Sequence, residues 1–178
     1  MERRIMKLEI GCGERPTEGY LHQDIIELKD KLDFTCQPWE IPLENNSLTE
    51  VIAIGVMEHL RFDEFNKTIK HIFNLLEPGG EFLFDTPDLR IWSGYLFDIL
   101  NNRPVPFTQE HIYAIFWGWQ RWNGDEHKCA WTRRDLYDEL ISVGFCVGEG
   151  LEDIMSRNII RNRFFRKEDA HIYIKAVK

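Results

Sequence analysis

Apolar residues occur along this chain in short runs that alternate with longer stretches of helical spacing. The run at residues 51–54 (Val-Ile-Ala-Ile) is continuous, which is typical of a strand buried on both faces of a parallel sheet. In residues 62–76 the apolar side chains recur at the spacing of one helix face, and Pro-Gly-Gly at 78–80 predicts the end of that helix. Residues 81–85 predict the next strand. This alternation favours an α/β fold.

Further signals extend the alternation to both ends of the chain. The remaining predicted strands lie at residues 7–10, 20–25, 32–34, 145–147 and 171–177. Thr132 is a suitable N-cap for a second helix, and Gly144 predicts its end. We expect the last two strands to pair antiparallel. The whole pattern predicts one domain over residues 1–178, built on a doubly wound, mostly parallel, seven-stranded sheet.

One segment, residues 89–131, does not fit this alternation. It contains five of the six tryptophans of the chain. We predict that it is an aromatic-rich insertion after the fifth strand, lying over the carboxyl edge of the sheet, where ligands bind in such folds. The insertion would then wall a substrate pocket. Most of its aromatic side chains would equally suit a satellite core beneath a long connection, and both interpretations stay open.

The first predicted strand ends in a glycine turn, and the second ends in an acid. Residues 8–13 read Leu-Glu-Ile-Gly-Cys-Gly, and Asp24 closes the second strand. Such a turn lets the backbone approach a ligand, and the carboxylate can accept two ribose hydroxyls. The spacing differs from that of a dinucleotide site, because Pro16 replaces the third glycine and Asp24 follows Gly11 by thirteen residues instead of ~20. A nicotinamide-dependent enzyme is therefore disfavoured.

The connection between these two strands is unusually short. Only nine residues, 11–19, join them, whereas a parallel crossover normally takes about a dozen or more and contains a helix. Pro16 also disfavours a helical conformation at Arg15. We therefore predict that the first helix is missing or reduced to a single turn.

Six motifs, taken in order, resemble those of the class I S-adenosylmethionine-dependent methyltransferases, most closely the methyltransferase-11-like branch with a short first loop. They lie at residues 8–13, 19–25, 33–47, 55–60, 76–80 and 127–145. The resemblance covers residues 7–147. It implies a Rossmann-like methyltransferase fold with S-adenosyl-L-methionine as the cofactor.

By this resemblance, the first two motifs hold the methionine and ribose parts of the cofactor. Backbone N–H groups of the turn Gly11-Cys12-Gly13 would face the methionine carboxylate. Glu9 would orient the turn or reach the ammonium, and Asp24 would accept the ribose hydroxyls. Without a first helix, the carboxylate loses the usual helix N-terminus and depends on the loop N–H groups, with Arg15 as an added cation.

The later motifs imply contacts to the other end of the cofactor. Asp33 would accept from the adenine amino group, and Phe34 would pack on the ring face. The residues Gly55, Val56 and Glu58 would lie beside the sulfonium, because they follow the fourth strand at its carboxyl end.

Methyl transfer needs an aligned nucleophile, and a general base assists an alcohol or amine. The candidate bases are His59, Asp88 and His127, which follow the fourth strand, follow the fifth strand and lie in the insertion. Each could instead be structural, as a lone histidine usually is. We predict no metal site, because the four cysteines form no Cys-x-x-Cys pair and only scattered groups such as His127 and Cys129 could contribute.

Composition narrows the partners and the compartment. No apolar run approaches the ~20 residues of a membrane span, and residues 1–5 lack the apolar core of a signal peptide, so we expect a cytoplasmic protein with no membrane partner. The net charge of -8 disfavours nucleic acid. One basic cluster comprises Arg157, Arg161, Arg163, Arg166 and Lys167. It predicts a solvated connection or a contact with an acidic substrate or a second subunit, which leaves a homodimer open.

The function predicted from these features is transfer of a methyl group from S-adenosylmethionine to an oxygen or nitrogen of a small-molecule or glycan-like acceptor. The alternative is a methyltransferase-fold protein that has lost activity and serves in binding or assembly. The short first loop is the feature that favours this alternative.

Overall fold

The computed structural model of the chain describes residues 6–28, 31–157 and 170–178, and its centre is a seven-stranded sheet. The strands are β1 (Lys7–Ile10), β2 (Leu21–Asp24), β3 (Phe34–Thr35), β4 (Leu48–Ala53), β5 (Leu76–Pro87), β6 (Cys146–Glu149) and β7 (His171–Val177). Their order is β3-β2-β1-β4-β5-β7-β6. The first five are parallel, and β7 runs antiparallel to both β5 and β6. The predicted mostly parallel α/β fold and the antiparallel last pair are confirmed.

Five α-helices accompany the sheet in the described part of the chain. They are α1 (Phe62–Leu75), α2 (Leu89–Leu100), α3 (Gln109–Trp117), α4 (Arg133–Val143) and α5 (Leu151–Ser156). A single 3-10 turn, Met57–His59, precedes α1. None of these helices is long and apolar enough to cross a membrane.

Helices α1 and α4 cover one face of the sheet. Phe65 and Ile69 of α1 and Leu136 of α4 are fully buried in the main apolar cluster with Val51 and Phe82 of the strands. Burying each such side chain contributes about 1.5–3 kcal/mol, so this layer supplies much of the folding free energy. Successive strand residues point to opposite faces, so the apolar side chains of one face lie beneath these helices. Because the strands are parallel, their carboxyl ends meet at one edge of the sheet.

The boundaries of α4 and α1 follow the sequence signals closely. The Thr132 hydroxyl accepts the Asp135 N–H, and Gly144 ends α4 in the left-handed conformation with φ 117°. Helix α1 ends at Leu75, one residue before the predicted end. Local capping chemistry thus determines both ends of α4.

The Pro-Gly-Gly sequence at 78–80 has a different role from the one predicted. It lies inside β5, which begins at Leu76 and is longer than the predicted strand of 81–85. The pairing with β4 shifts register between Leu48 and Glu50, and Gly79 has φ 82°. A proline and a left-handed glycine suit such a bulge, so the strand continues through them.

No helix connects β1 and β2, as predicted from the short connection. Residues 11–20, all described, contain only turns and bends, and Leu8 still pairs in parallel with Leu21. The buried Glu9 carboxylate holds this loop: its two oxygens accept the Thr17 N–H at 2.6 Å and the Thr17 hydroxyl at 3.0 Å. The His22 Nε2 lies 2.8 Å from the Thr17 carbonyl oxygen and donates to it. Side chains of the two strands therefore replace the missing helix.

A charged cluster lies on the second face of the sheet. Glu50, 5% exposed, accepts from Lys7 Nζ at 3.2 Å, from Arg157 Nε at 2.7 Å and from the Tyr20 hydroxyl. Arg157 also donates to Glu81 at 2.8 Å. Arg157 is thus accounted for by structural ion pairs.

Apolar contacts on the same face are fewer. Ile154 of α5 packs with Ile52, Leu83 and Tyr173 in a second, smaller cluster. The other four members of the predicted basic cluster, Arg161, Arg163, Arg166 and Lys167, lie outside the described residues.

The segment 89–131 folds partly as α2 and α3, and its rings form the satellite core that was one of its two interpretations. Trp92 is 1% exposed, and its ring centroid lies 4.8 Å from that of Phe107 and 5.6 Å from that of His111. Trp119 contacts His111 edge-on but stays half exposed.

The Glu50 cluster predicts a pH-dependent stability. Burial raises the pKa of Glu50, but hydrogen bonds from Tyr20 and Arg157 and the nearby positive charges outweigh burial and hold the pKa below the ordinary 4.5. Because the folded pKa is the lower one, the stabilisation is complete above the unfolded pKa and is lost as pH falls through the folded pKa. We expect Glu50→Gln to lower the free energy of unfolding at pH 7 by about 3 kcal/mol, since it breaks a buried ion cluster.

Urea unfolding at neutral and acidic pH checks this prediction. The gap between wild type and Glu50→Gln should narrow as the pH falls below the unfolded pKa. The matched control is Glu44→Gln, at an exposed glutamate, which should unfold like the wild type. A Glu50→Gln protein as stable as this control at pH 7 would contradict the assigned role.

Candidate functional site

The carboxyl ends of β1, β2, β4 and β5 meet at one edge of the sheet, and two adjoining cavities open there. The larger has a volume of about 830 Å³ and the smaller about 260 Å³. Both are lined by Gly13, Asp24, Ile26, Gly55 and Trp122. The larger cavity extends to the insertion, and the smaller extends to the segment that follows β3. The shared residues form the junction between the two.

The glycine turn lies at this junction in a conformation that needs glycine. Gly11 has φ 63° and Gly13 has φ 57°. A Cβ on Gly11 would lie 2.4 Å from Val56 Cγ2, so the turn packs directly on the residue after Gly55.

The N–H groups of the turn have partners within the chain. Gly11 N–H donates to Gln23 Oε1 at 3.3 Å, Cys12 N–H to the Gln23 carbonyl oxygen at 3.2 Å, and Gly13 N–H to Asp24 Oδ2 at 2.8 Å. Cys12 is fully buried. By the family resemblance, these N–H groups would face the methionine carboxylate. In the structure, Gln23 and Asp24 of β2 accept their hydrogen bonds instead.

Asp24 is where the sequence predicted it, at the end of β2 and in the wall of both cavities. Its side chain is 8% exposed, and its second oxygen accepts the Ile26 N–H at 3.1 Å. Two backbone N–H groups thus fix the carboxylate at the junction.

Glu9 lines neither cavity. Its two oxygens accept from Thr17, in the loop that follows the glycine turn. The charged side chains that the loop does bring to the larger cavity are Glu14 and Arg15. Arg15, exposed at the cavity wall, is therefore the loop cation available to an anionic ligand group.

The structure does not bring Asp33 and Phe34 to the site. Asp33 accepts the His22 N–H at 2.8 Å and is exposed, while Phe34 packs partly buried against the main core. Gln37 and Pro38 line the smaller cavity instead. The reason is register: β3 ends at Thr35, so the residues that emerge at the carboxyl edge come after it. Had the third strand been predicted two residues later than 32–34, the sequence would have pointed to Gln37 and Pro38.

The residues after β4 divide between the cavity wall and the interior. Gly55 lines both cavities and donates its N–H to Asp85 Oδ1 at 2.7 Å. Val56 lines the smaller cavity, whereas Glu58 is 4% exposed and lines neither. Gly55 and Val56 thus line the cavities at the end of β4, and Glu58 does not.

Of the three candidate bases, only His59 lines a cavity, the smaller one. Asp88 is the N-cap of α2 and accepts the Arg90 N–H at 2.9 Å. His127 lies behind His59, with the two rings edge-to-face at 4.8 Å between centroids. Burial lowers the pKa of His59, and burial together with the His59 charge lowers the pKa of His127 to about 4. Neither Asp88 nor His127 is brought to the cavities.

A buried acid–histidine pair that the sequence analysis missed faces the larger cavity. Asp85, 2% exposed, lies 2.8 Å from His171 Nδ1 through its second oxygen, and both residues line the cavity. They meet because β7 starts beside the end of β5, with His171 paired to Pro87. The only sequence signal was positional: a histidine begins the last strand and an acid ends the fifth.

Trp122 covers the junction from the insertion. The neighbouring Arg121 donates to both oxygens of the buried Asp125, at 3.0 and 3.2 Å, and its guanidinium lies 4.3 Å from the centre of the Trp122 ring. This bidentate pair fixes the loop that carries the half-exposed indole. An aromatic wall therefore stands over the point where the cavities join.

Comparisons with known proteins give one family match and several solved structures of similar fold. Residues 3–149 match a family described as a methyltransferase domain. A comparison with curated proteins gives no match. Among solved structures, an S-adenosylmethionine-dependent methyltransferase from Archaeoglobus fulgidus is similar with a TM-score of 0.60 at 15% identity, over 99% of this chain and 87% of that one.

Two further structures are similar in fold. One is the 1,6-didemethyltoxoflavin-N1-methyltransferase of Burkholderia thailandensis with bound 1,6-didemethyltoxoflavin and S-adenosylhomocysteine, with a TM-score of 0.56 at 13% identity over 99% of this chain and 72% of that one. The other is the Haloferax volcanii complex of the Trm112 methyltransferase activator with a methyltransferase, with a TM-score of 0.57 at 14% identity over 99% and 85%.

The conformation of the glycine turn leads to a prediction that has a matched control. Gly11→Ala places a methyl group against Val56 and also requires a left-handed alanine, whereas Gly19→Ala, at φ 86°, has nothing within 4 Å of the new Cβ. We expect about 1–2 kcal/mol of destabilisation from the backbone at either position and about 1–3 kcal/mol more at Gly11 from the clash. Urea unfolding of both variants measures the difference. If both variants lose the same free energy of unfolding, Val56 moves away from the new methyl group without a measurable cost.

Proposed function

Since this chain belongs to the methyltransferase-domain family and is an S-adenosylmethionine-dependent methyltransferase, we propose that it methylates an oxygen or nitrogen of a small-molecule or glycan-like acceptor. The observation that carries this proposal is the Asp85–His171 pair in the wall of the larger cavity. The glycine turn and Asp24 adjoin it at the junction with the smaller cavity. Cofactor and acceptor would therefore occupy neighbouring volumes.

The residues of the site fit S-adenosylmethionine. The left-handed glycines leave the turn without a Cβ beside the groove, and the Asp24 carboxylate, fixed at the junction, suits a ribose diol. Gln37 and the exposed Ile25, which line the smaller cavity, suit a purine edge and face. Arg15 in the larger cavity supplies the cation for the methionine carboxylate in place of a helix N-terminus.

The bound cofactor supplies an electrophilic methyl group on a sulfonium. The chain itself supplies position and a base. His171 Nδ1–H donates to Asp85, which fixes the imidazole tautomer, so Nε2 is the atom that takes the proton from the acceptor O–H or N–H. Asp85 then stabilises the imidazolium by its buried negative charge. Trp122 lines both cavities and lies where the cofactor and the acceptor would meet.

The lining of the larger cavity supports this acceptor class. Ile54, Trp92, Ile115 and Tyr173 contribute apolar or aromatic surface, and the polar side chains include Asp85 and His171. Such a wall suits a compact molecule with an apolar or ring-like body and one proton-bearing nucleophile. The Burkholderia neighbour, which binds 1,6-didemethyltoxoflavin, is an example of a small-molecule acceptor on this fold.

The proposal also assigns the segment 89–131 as the acceptor-side wall within a single domain of residues 1–178. Trp92, His111 and Trp122 from this segment line the larger cavity, in support of that role. We further propose a cytoplasmic enzyme, in keeping with four free cysteines. The homodimer stays a hypothesis, since most of the basic cluster that suggested it lies outside the described residues.

Calorimetric titration tests cofactor binding. We expect S-adenosylmethionine and S-adenosylhomocysteine to bind and NADH not to bind. Asp24→Ala should raise both dissociation constants at least about tenfold, because a hydrogen bond to a charged group contributes about 1.5–3 kcal/mol. The control is Asp33→Ala, which removes an acid outside both cavities and should bind like the wild type.

The results of this titration distinguish between the alternative assignments of the site and of the function. Binding that Asp33→Ala weakens and Asp24→Ala does not would favour the adenine role first expected for Asp33 and contradict the site described above. If neither S-adenosylmethionine nor S-adenosylhomocysteine binds, the result would favour the alternative, a methyltransferase-fold protein that has lost activity and serves in binding or assembly.

A second prediction concerns the base. A screen of small-molecule acceptors by product mass identifies a substrate, and His171→Ala is then expected to lower kcat roughly 10²–10⁴-fold, as for loss of a general base. Its affinity for S-adenosylhomocysteine should stay unchanged. His71→Ala, in α1 and remote from the cavities, is the control. A normal kcat for His171→Ala would show that His171 is not the general base. It would not affect the assignment of the cofactor site.

A further inference from the structure

Three metal-binding side chains converge just behind the smaller cavity. Glu58 and His59 lie on the 3-10 turn after β4, and His127 comes from the segment after α3. One potential ligand atom from each lies within 4.8 Å of the others. We propose that Glu58, His59 and His127 bind a divalent transition-metal cation of the zinc, cobalt, manganese or iron type.

The backbone holds the two ligand-bearing segments side by side. The N–H groups of Lys128 and Cys129 donate to the Glu58 carbonyl oxygen, at 2.8 and 3.3 Å. This contact joins residues far apart in sequence at the positions of the ligands. The arrangement is therefore built by the fold and does not depend on long surface side chains meeting by chance.

Both imidazoles have the orientation of metal ligands. His59 Nδ1 lies 3.1 Å from the Glu126 carbonyl oxygen, and His127 Nδ1 lies 2.7 Å from that of Ile115. A carbonyl oxygen only accepts, so each Nδ1 carries the proton and each Nε2 presents its lone pair. Metal-bound histidines are typically oriented by such a hydrogen bond on the other ring nitrogen.

The donor set indicates the class of ion. Two imidazole nitrogens and one carboxylate oxygen suit first-row transition metals, whereas Mg²⁺ and Ca²⁺ prefer oxygen ligands. Ligand distances of about 2.0–2.2 Å require the three atoms to close by roughly an ångström from their present spacing. Three protein ligands leave at least one position for water or another oxygen donor.

Such an ion would fasten the insertion to the sheet. His59 is in the wall of the smaller cavity, and His127 lies two residues beyond Asp125, which fixes the Trp122 loop. The cation would therefore join the edge of the cofactor site to the segment that covers it. This inference does not depend on the identity of the acceptor or on methyl transfer.

Titration of chelator-treated, untagged protein with Co²⁺ tests the inference through the visible ligand-field absorption of bound cobalt. We expect stoichiometric binding by the wild type, competition by Zn²⁺, and a higher melting temperature with either ion. His59→Ala, His127→Ala and the near-isosteric Glu58→Gln should each weaken Co²⁺ binding at least about tenfold. His71→Ala, which removes a histidine elsewhere, should bind like the wild type.

Circular dichroism and urea unfolding establish that each variant is folded. If one histidine variant does not fold, the other and Glu58→Gln decide the result. No stoichiometric binding of Co²⁺ or Zn²⁺ by the wild type would overturn the proposal. Wild-type affinity in the folded variants would overturn it as well, since the metal would then lie elsewhere.

Discussion

The buried contact between Glu9 and Thr17 is the constraint on which the cofactor side of this molecule depends. A parallel pair of strands normally has a helix in its connection, and that helix would support the glycine turn. Here the Glu9 carboxylate takes both the N–H and the hydroxyl of Thr17 and brings the loop back beside β1. Because the loop is closed in this way, β2 stays in register and delivers Asp24 to the same edge as the glycine turn. A single buried acid thus takes the place of a helix.

That substitution changes how the turn is held. In the absence of a helix, Gln23 and Asp24 bind the N–H groups of residues 11–13, and the turn becomes part of the β2 edge. Positive charge for an anionic ligand group must then come from a side chain, and Arg15 is the one the loop places at the larger cavity. Under the proposed function, an exposed side-chain cation takes the part of backbone N–H groups, and its attraction for an anion is more sensitive to salt.

Much of the fold could be predicted from the sequence, because local signals decide it. The continuous apolar run of β4, the spacing of α1 and the caps of α4 report directly on burial and capping, and the short connection excluded the first helix. The role of residues 78–80 could not be predicted, since strand pairing with Leu48 overrides the usual effect of proline and glycine. Asp33 and Phe34, the predicted adenine contacts, line neither cavity for a related reason. Strand β3 has only two residues, which is too short a pattern to predict which residues lie at the carboxyl edge.

The Asp85–His171 pair at the carboxyl edge could not be predicted from the sequence for a different reason. Asp85 and His171 are 86 positions apart, and only the insertion of β7 between β5 and β6 makes them neighbours. That strand order divides the wall of the larger cavity between the two ends of the chain. The glycine turn and Asp24 come with the first two strands, whereas the His171 imidazole comes with the last one. The wall is therefore complete only when β7 occupies its place between β5 and β6.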